Sequence, residues 1–424
     1  MNAMPHFELI VRHAVWRTAV VPLLARRDLV ATGRLTRDPG RRPTGLLIGD
    51  LAADGPARTG ADFPPLADWV TIASPDEHSL DPGPWVRRLR PLSGQLLAVL
   101  VGLGSDRSGW RGWTVERGAV RPLAGLRVVG PGMVHAATPP PDDFPSEPDA
   151  ARWGRVRGAV GERAFEKLRG ARAAVVGCSR TGTLAAGMLA ALGVRGLVLL
   201  DGDAVEPHNL DGMLLSTGAE VGENKAESLG RRLVAFRPGL MVRAVRRPLD
   251  AVTADETLGG VDLVVTCVDG DGGRLRAAHW AREHLAPHLD VGTGVTRGAG
   301  GGRRLAADVR LLLPGEGCVR CVGGLGDLEQ AEYELHAPRG ALPRRPPEAW
   351  DARGRLGSLV TINSMAVSSG VQSWLDLLDG SLAGSIWHRL RWEPGRGLEA
   401  DSALVAASAT CVLCRGRDFG NPKT

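Results

Sequence analysis

The chain has 424 residues, 43% of them hydrophobic and 23% charged, with a net charge of +5. That length accommodates two domains with separate cores, and that balance excludes a disordered or fibrous chain. Arginine supplies nearly all the positive charge and is scattered through the sequence, while only 4% of residues are aromatic, so a nucleic-acid surface is not expected.

The N-terminal sequence "MNAMPHFELIVRHAVW" lacks the basic head, apolar run and cleavage site of a signal peptide. No apolar run reaches membrane-spanning length, so no membrane partner and a cytoplasmic location are expected.

Residues 1–137 form the first unit. A helical pattern, "VRHAVWRTAVVPLLARRD", is followed by short apolar runs such as "GLLIGD", "DWVTIA", "QLLAVLVGLG" and "LRVVG" between Gly/Pro turns. This predicts a smaller α+β domain. The proline- and acid-rich stretch 138–150 cannot continue a helix or a central strand and reads as a linker.

From residue 151 to 424 the pattern changes. Apolar runs "AAVVG", "GLVLLD", "MVRAV" and "DLVVTCVD" alternate with helical stretches "TGTLAAGMLAALG" and "NKAESLGRRLVAF". This predicts an α/β domain with a Rossmann-like, mostly parallel sheet. The glycine-rich "DVGTGVTRGAGGG" after Leu289 reads as a mobile loop, and the stretch 336–355 as a loop.

The loop Gly177-Cys178-Ser179-Arg180-Thr181-Gly182 lies between a predicted strand and a predicted helix. Backbone N–H groups at a helix start favour a phosphate there. Gly177 permits the tight turn and Gly182 close helix packing, while Ser179 narrows the middle position where glycine is usual. Asp201 ends the next strand, where a carboxylate can accept ribose hydroxyls. These features suit NAD, FAD or ATP equally.

The stretch "DGDAVEPHNLDGM", the later Lys225 and the "CVDG" around Asp269 resemble the ThiF/MoeB family of ubiquitin-activating-enzyme-like adenylyltransferases. The resemblance covers about 150–424. It implies that Asp201, Asp203 and Asn209 line an ATP site together with Gly177, Ser179, Arg180, Gly182 and Lys225. It implies that Lys225 is catalytic as a point charge on the phosphates, and that Asp269 is catalytic as the Mg²⁺ ligand. The family's "RYxRQ" segment is echoed by "RWGRV", so Arg155 would reach the nucleotide of a partner subunit in a homodimer. Gly212 stands where the family usually has a phosphate-contacting arginine, and Arg180 is the candidate replacement. The substrate implied is the C-terminal carboxylate of a small ubiquitin-like or sulfur-carrier protein, or of a peptide. The alternative is a non-catalytic nucleotide-binding scaffold. The runs "TGLLIGD" and "LLAVLVGLGSD" resemble strands of a degenerate JAB/MPN-like domain.

Cys318-x-x-Cys321 and Cys411-x-x-Cys414 are matching pairs in turn-like sequence, suited to four-thiolate Zn²⁺ in a structural role. Cys178 and Cys267 are the other two cysteines, and none lies between Cys321 and Cys411. In the family, a thioester-forming cysteine sits in that interval, so adenylation without a thioester is expected.

Overall fold

A computed structural model describes residues 150–297, 302–326, 328–336 and 355–415. Of the first 149 residues it describes 8–12, 15, 30–38, 45–48, 52–53, 69–73, 96–101, 111–116, 119–123, 125–131 and 133–137. The linker 138–149, nearly all of the N-terminal helical pattern and most of the loop 336–355 lie outside the described residues. Two compact units are present, the first mainly residues 1–144 and the second residues 145–282 with 286–416.

The first unit is built on a ten-stranded mixed sheet. Its order runs Val134–Ala137, Gly125–Val129, Glu8–Arg12, Gly45–Ile48, Val30–Asp38, Trp69–Ala73, Leu96–Val101, Arg111–Glu116, Ala119–Pro122. The two-residue strand Ala52–Ala53 pairs with Val30–Asp38. Each apolar run read as a strand in this unit contributes one.

The second unit carries nine strands, here β1 (Arg172–Val176), β2 (Gly196–Leu200), β3 (Met241–Val245), β4 (Leu263–Thr266), β5 (His288–Arg297), β6 (Arg303–Leu312), β7 (Arg355–Gly357), β8 (Ile386–Glu393) and β9 (Gly397–Leu404). Its helices are α1 (Ala150–Val160), α2 (Glu162–Gly170), α3 (Arg180–Leu192), α4 (Lys225–Phe236), α5 (Ala251–Thr257), α6 (Asp271–Glu283), α7 (Leu328–His336), α8 (Val360–Asp379) and α9 (Val412–Arg415). The sheet order is β3-β2-β1-β4-β5-β6-β8-β9, with β7 beside β5. Pairing is parallel from β3 through β5 and antiparallel from β5 onward.

The order of the parallel half follows from its crossovers. The chain leaves β1 outward to β2 and β3, then returns to β4 on the other side of β1. The connections after β1 and β4 therefore diverge and leave a crevice at the carboxyl ends of these two strands. Both strands are buried on both faces, which explains their uninterrupted apolar sequence. Val176, Val198, Leu200 and Val264 pack with Ala277 and Trp280 of α6.

The glycine-rich stretch after Leu289 is a correction. Residues 290–297 continue β5, paired with β6 through Arg297. Thr293, Val295 and Thr296 suit a strand, and pairing with β6 outweighs the local freedom of Gly292 and Gly294. Residues 298–301 lie outside the described residues.

Helix α8 was not read from the sequence. Its buried positions Ile362, Ala366, Val367, Gly370, Val371, Trp374, Leu377 and Leu378 recur at helical spacing. Gly370 sits where a Cβ would lie 2.8 Å from Leu289 and 2.9 Å from Val309, so α8 lies almost directly on β5 and β6. Among the described residues no helix is long and apolar enough to cross a membrane.

Two glycines in helices should respond oppositely. Gly370→Val should cost about 1–3 kcal/mol through overpacking. Gly158→Ala, at a position with no neighbour within 4 Å, should gain roughly 0.5–1 kcal/mol from helix propensity. Urea unfolding of both variants checks the contrast.

Candidate active site

The glycine loop follows β1 and opens α3. Gly177 adopts φ 89° and its N–H donates to Leu200 O at 2.9 Å. A Cβ at Gly177 would lie 2.6 Å from Cys267 O, because the loop passes directly over the end of β4. A Cβ at Gly182 would lie 1.7 Å from Gly177 O. Helix α3 therefore closes onto its own loop only with glycine at 182. Ser179 is the N-cap but its side chain makes no capping bond, and α3 has no acidic residue in its first turn. The positive end of α3 is left open to an anion.

Asp201, just after β2, clamps this loop. Its Oδ2 accepts from Cys178 N at 2.7 Å and its Oδ1 from Asp203 N at 2.9 Å. Burial pushes its carboxyl above the ordinary value, while the two N–H groups and the charge of Lys225 pull it back. Each oxygen keeps a second lone pair, so the clamp is compatible with a ribose hydroxyl.

Lys225 is the first residue of α4 and is 8% exposed. Its Nζ lies 3.4 Å from Oδ2 of the exposed Asp203. Asn224 was not singled out in the sequence, yet it places this lysine. Its Oδ1 caps the N–H groups of Ala226 and Glu227, and its Nδ2 donates to Asp201 O and Asp203 O at 2.9 and 3.0 Å. The signal was available as an asparagine immediately before a helical pattern. Asn209 is buried in a short 3₁₀ turn and accepts from Glu206 N at 3.0 Å, so its carbonyl oxygen supports the backbone.

Arg180 and Gly212 occupy one space. A Cβ at Gly212 would lie 2.6 Å from Arg180 Cγ and 2.8 Å from its Nη1. The Arg180 side chain thus fills the volume that a side chain at 212 would need. Its guanidinium donates to His208 O at 2.7 Å, to Ser358 O at 3.2 Å and to the exposed Asp211.

Asp269 lies on the turn between β4 and α6 with its side chain exposed. Gly177 and Cys267 meet across the crevice, which brings this turn beside the glycine loop. An exposed carboxylate at this turn is a donor that would suit Mg²⁺ if phosphates completed its coordination.

Arg155 is exposed on α1. Its helix-mate Trp153 packs on Gly193, at the far end of α3 from the glycine loop. At 1.5 Å per residue, the thirteen residues of α3 separate these ends by roughly 20 Å. The structure therefore does not bring Arg155 to the loop of its own chain.

Cys178 is fully buried and burial pushes its thiol well up. Burial likewise pushes Cys267 up to about 12. Neither is a ready thiolate nucleophile.

The four remaining cysteines converge. Their sulfurs all lie within 4.8 Å of one another, with Cys318–Cys321 at 3.8 Å and Cys318–Cys411 and Cys321–Cys414 at 3.6 Å. Sulfurs about 3.8 Å apart are what tetrahedral Zn–S bonds of ~2.3 Å require. These spacings are far longer than the ~2.05 Å of a disulfide. The thiols cannot all ionise unaided. A hydrogen bond from Cys414 leads the effects that hold Cys318 down to about 6, while burial pushes Cys411 up to about 11. A bound cation would remove that conflict, and four sulfurs would leave it no open position.

The ThiF family model matches residues 154–381. The SAMP-activating enzyme E1 of Haloferax volcanii is 34% identical over 110 residues, 26% of this chain and 41% of that protein. The molybdopterin-synthase adenylyltransferase of Salmonella typhimurium is 36% identical over 104 residues, 24% of this chain and 42% of that protein. The chain thus spans about two fifths of the length of these curated relatives. Among solved structures, E. coli MccB with MccA-N7isoASN is 18% identical with a TM-score of 0.49, covering 65% of this chain and 77% of that one. The match does not reach the first unit, and the JAB/MPN-like expectation gains no support. With the family model spanning more than half of its length, and the glycine loop, Asp201, Lys225 and Asp269 gathered at one crevice, the chain belongs to the ThiF family.

Proposed function

We propose that the second unit binds ATP at the crevice between β1 and β4 and adenylates a carboxylate. The observation that carries this reading is the open N-terminus of α3, which begins with Arg180, gathered with the buried Lys225 and the exposed carboxylate of Asp269. An acyl carboxylate oxygen attacks the α-phosphorus, the bond to the β-phosphate oxygen breaks, and pyrophosphate leaves with that electron pair. Two anions meet in this step, so fixed cations lower its barrier. Lys225 is held by its helix cap with its ammonium buried, and acts as a point charge on the phosphates. Arg180 exchanges Asp211 for the triphosphate and supplies the cation that Gly212 lacks. Asp269 would hold Mg²⁺, which when bound neutralises phosphate oxygens. Asp201 orients the loop and accepts from the ribose, with Asp203, Asn209 and Ser179 at the edge of the site.

The relatives carry the names of an adenylyltransferase and of a SAMP-activating enzyme. The substrate proposed here is accordingly the C-terminus of a small ubiquitin-like or sulfur-carrier protein, or of a peptide. The reaction stops at the adenylate on this chain. Burial holds the Cys178 and Cys267 thiols well above the ordinary range, and the sequence between Cys321 and Cys411 has no cysteine. Arg155, remote from its own loop, acts on the nucleotide of a second copy in a homodimer. The four cysteines hold Zn²⁺ as a structural tie between the segment after β6 and the segment after β9. The proposed domain limits are 1–137, with linker 138–150, and 151–424.

Calorimetry with Mg·ATP and pyrophosphate exchange test this reading. Lys225→Ala should lower exchange by about 10²–10³-fold. Arg180→Ala should weaken ATP binding by about tenfold, while Arg231→Ala, whose partner is Glu223, should leave it unchanged. Gly212→Arg alone should clash with Arg180, and pairing it with Arg180→Gly should recover affinity. ATP binding without exchange against any carboxylate tail would favour the scaffold. For the cysteines, metal analysis should find one zinc per chain, and Cys411→Ser should lose it along with several kcal/mol of stability.

A further inference from the structure

Asp290 is a wholly buried carboxylate on β5, one strand away from the proposed site. It accepts from Thr266 Oγ1 at 2.7 Å and from Arg310 Nη1 at 2.9 Å. Nη1 of Arg274 completes the set. Burial works against its ionisation, but Arg274, His288 and Arg310 outweigh it and hold the carboxyl below the ordinary range. A buried ion cluster of this kind stabilises a core little better than apolar residues of the same size. Its geometry suggests another use.

Arg274 is the fourth residue of α6, which begins directly after the turn that carries Asp269. One guanidinium nitrogen is spent on Asp290. The other, Nη2, donates to Val268 O at 2.8 Å, with a longer contact to Val291 O at 3.5 Å. Val268 is the residue before Asp269. The start of the turn is fixed by Cys267 N donating to Val176 O at 2.8 Å. Its end is fixed by Gly326 N donating to Asp271 Oδ2 at 2.9 Å. Arg274 holds the middle, at the peptide that aims the Asp269 side chain.

We propose that Arg274, anchored on Asp290, is a positioning residue that fixes the β4–α6 turn so that the Asp269 carboxylate meets the divalent cation on the nucleotide. The inference rests on the reading of Asp269 as the cation ligand. A planar fork is needed because one side chain must serve a carboxylate and a carbonyl in different directions. Lysine would keep the charge next to Asp290 and release Val268.

The test uses the full chain with Mn²⁺ as the probe, read by electron paramagnetic resonance in the presence of ATP. ATP affinity is measured separately in chelator. In Arg274→Lys, metal-free ATP affinity should stay within twofold of wild type, since the α3 N-terminus, Lys225 and Arg180 are untouched. Mn²⁺ affinity in the ATP complex should fall by about tenfold, the usual effect of losing an outer-shell support. Asp269→Asn is measured alongside and should abolish the ATP-dependent Mn²⁺ site. If Asp269→Asn abolishes it while folded Arg274→Lys leaves Mn²⁺ affinity within twofold, the positioning role is overturned and the cation reading survives. If Asp269→Asn leaves Mn²⁺ affinity unchanged, both are overturned. Should Arg274→Lys fail to fold, Thr266→Val removes one donor from Asp290 with all charges kept. It should weaken Mn²⁺ by about threefold, and an unchanged affinity would overturn the proposal.

Discussion

The approach of Gly182 to the carbonyl of Gly177, with no space for a Cβ between them, is the constraint on which the site depends. It draws the first turn of α3 onto the end of β1 and points the open N–H end of the helix across the sheet edge. The same loop lies against Cys267 O, so the turns after β1 and β4 cannot be moved independently. Asp201 then secures the loop from the β2 side through Cys178 N. Three strand ends are joined through main-chain bonds, Gly177 N to Leu200 O and Cys267 N to Val176 O, together with the carboxylate of Asp201. The cations Lys225 and Arg180 are mounted on this frame.

The charges at the crevice follow one pattern. Each cation is held in advance by an acidic partner that is itself exposed. Lys225 faces Asp203 and Arg180 faces Asp211, both of them carboxylates in solvent. Such pairs contribute little to stability because water screens them. They keep the cations in place at the crevice. Preorganisation of this kind spares the reorganisation that would otherwise accompany charge development. Arg180 and Gly212, far apart in the chain, share one volume. A long side chain from the glycine loop fills the space that a residue at 212 leaves empty.

The antiparallel half of the sheet serves a different purpose. β5 and β6 carry Asp290 and Arg310 beneath the β4–α6 turn, and α8 seals their other face at Gly370. Past β6 the chain enters the first cysteine pair and then Gly324 and Gly326. Gly324 lies close to the Arg310 guanidinium, and Gly326 binds Asp271. The four-sulfur cluster and the turn that carries Asp269 are thus joined through a short run of backbone.

The sequence by itself determined the parallel half of the fold. Continuous apolar runs such as "AAVVG" and "GLVLLD" mark strands buried on both faces. The glycine loop and the helix that follows it are defined by residues adjacent in the chain, and the cysteine pairs by their spacing. Other features were decided only by tertiary contact. The glycine-rich stretch after Leu289 became a strand because two neighbouring strands satisfy its backbone, which local propensity cannot register. Asn224 was legible as a helix cap but not as the residue tying Lys225 to the end of β2, because that tie spans more than twenty residues. Arg180 was legible as a candidate replacement for the charge missing at Gly212, but only the fold places its side chain in the volume beside Gly212. Arg274 and Asp290 carried no signal at all. A lone arginine and a lone aspartate acquire meaning only when folding removes water from both and leaves each as the other's principal partner.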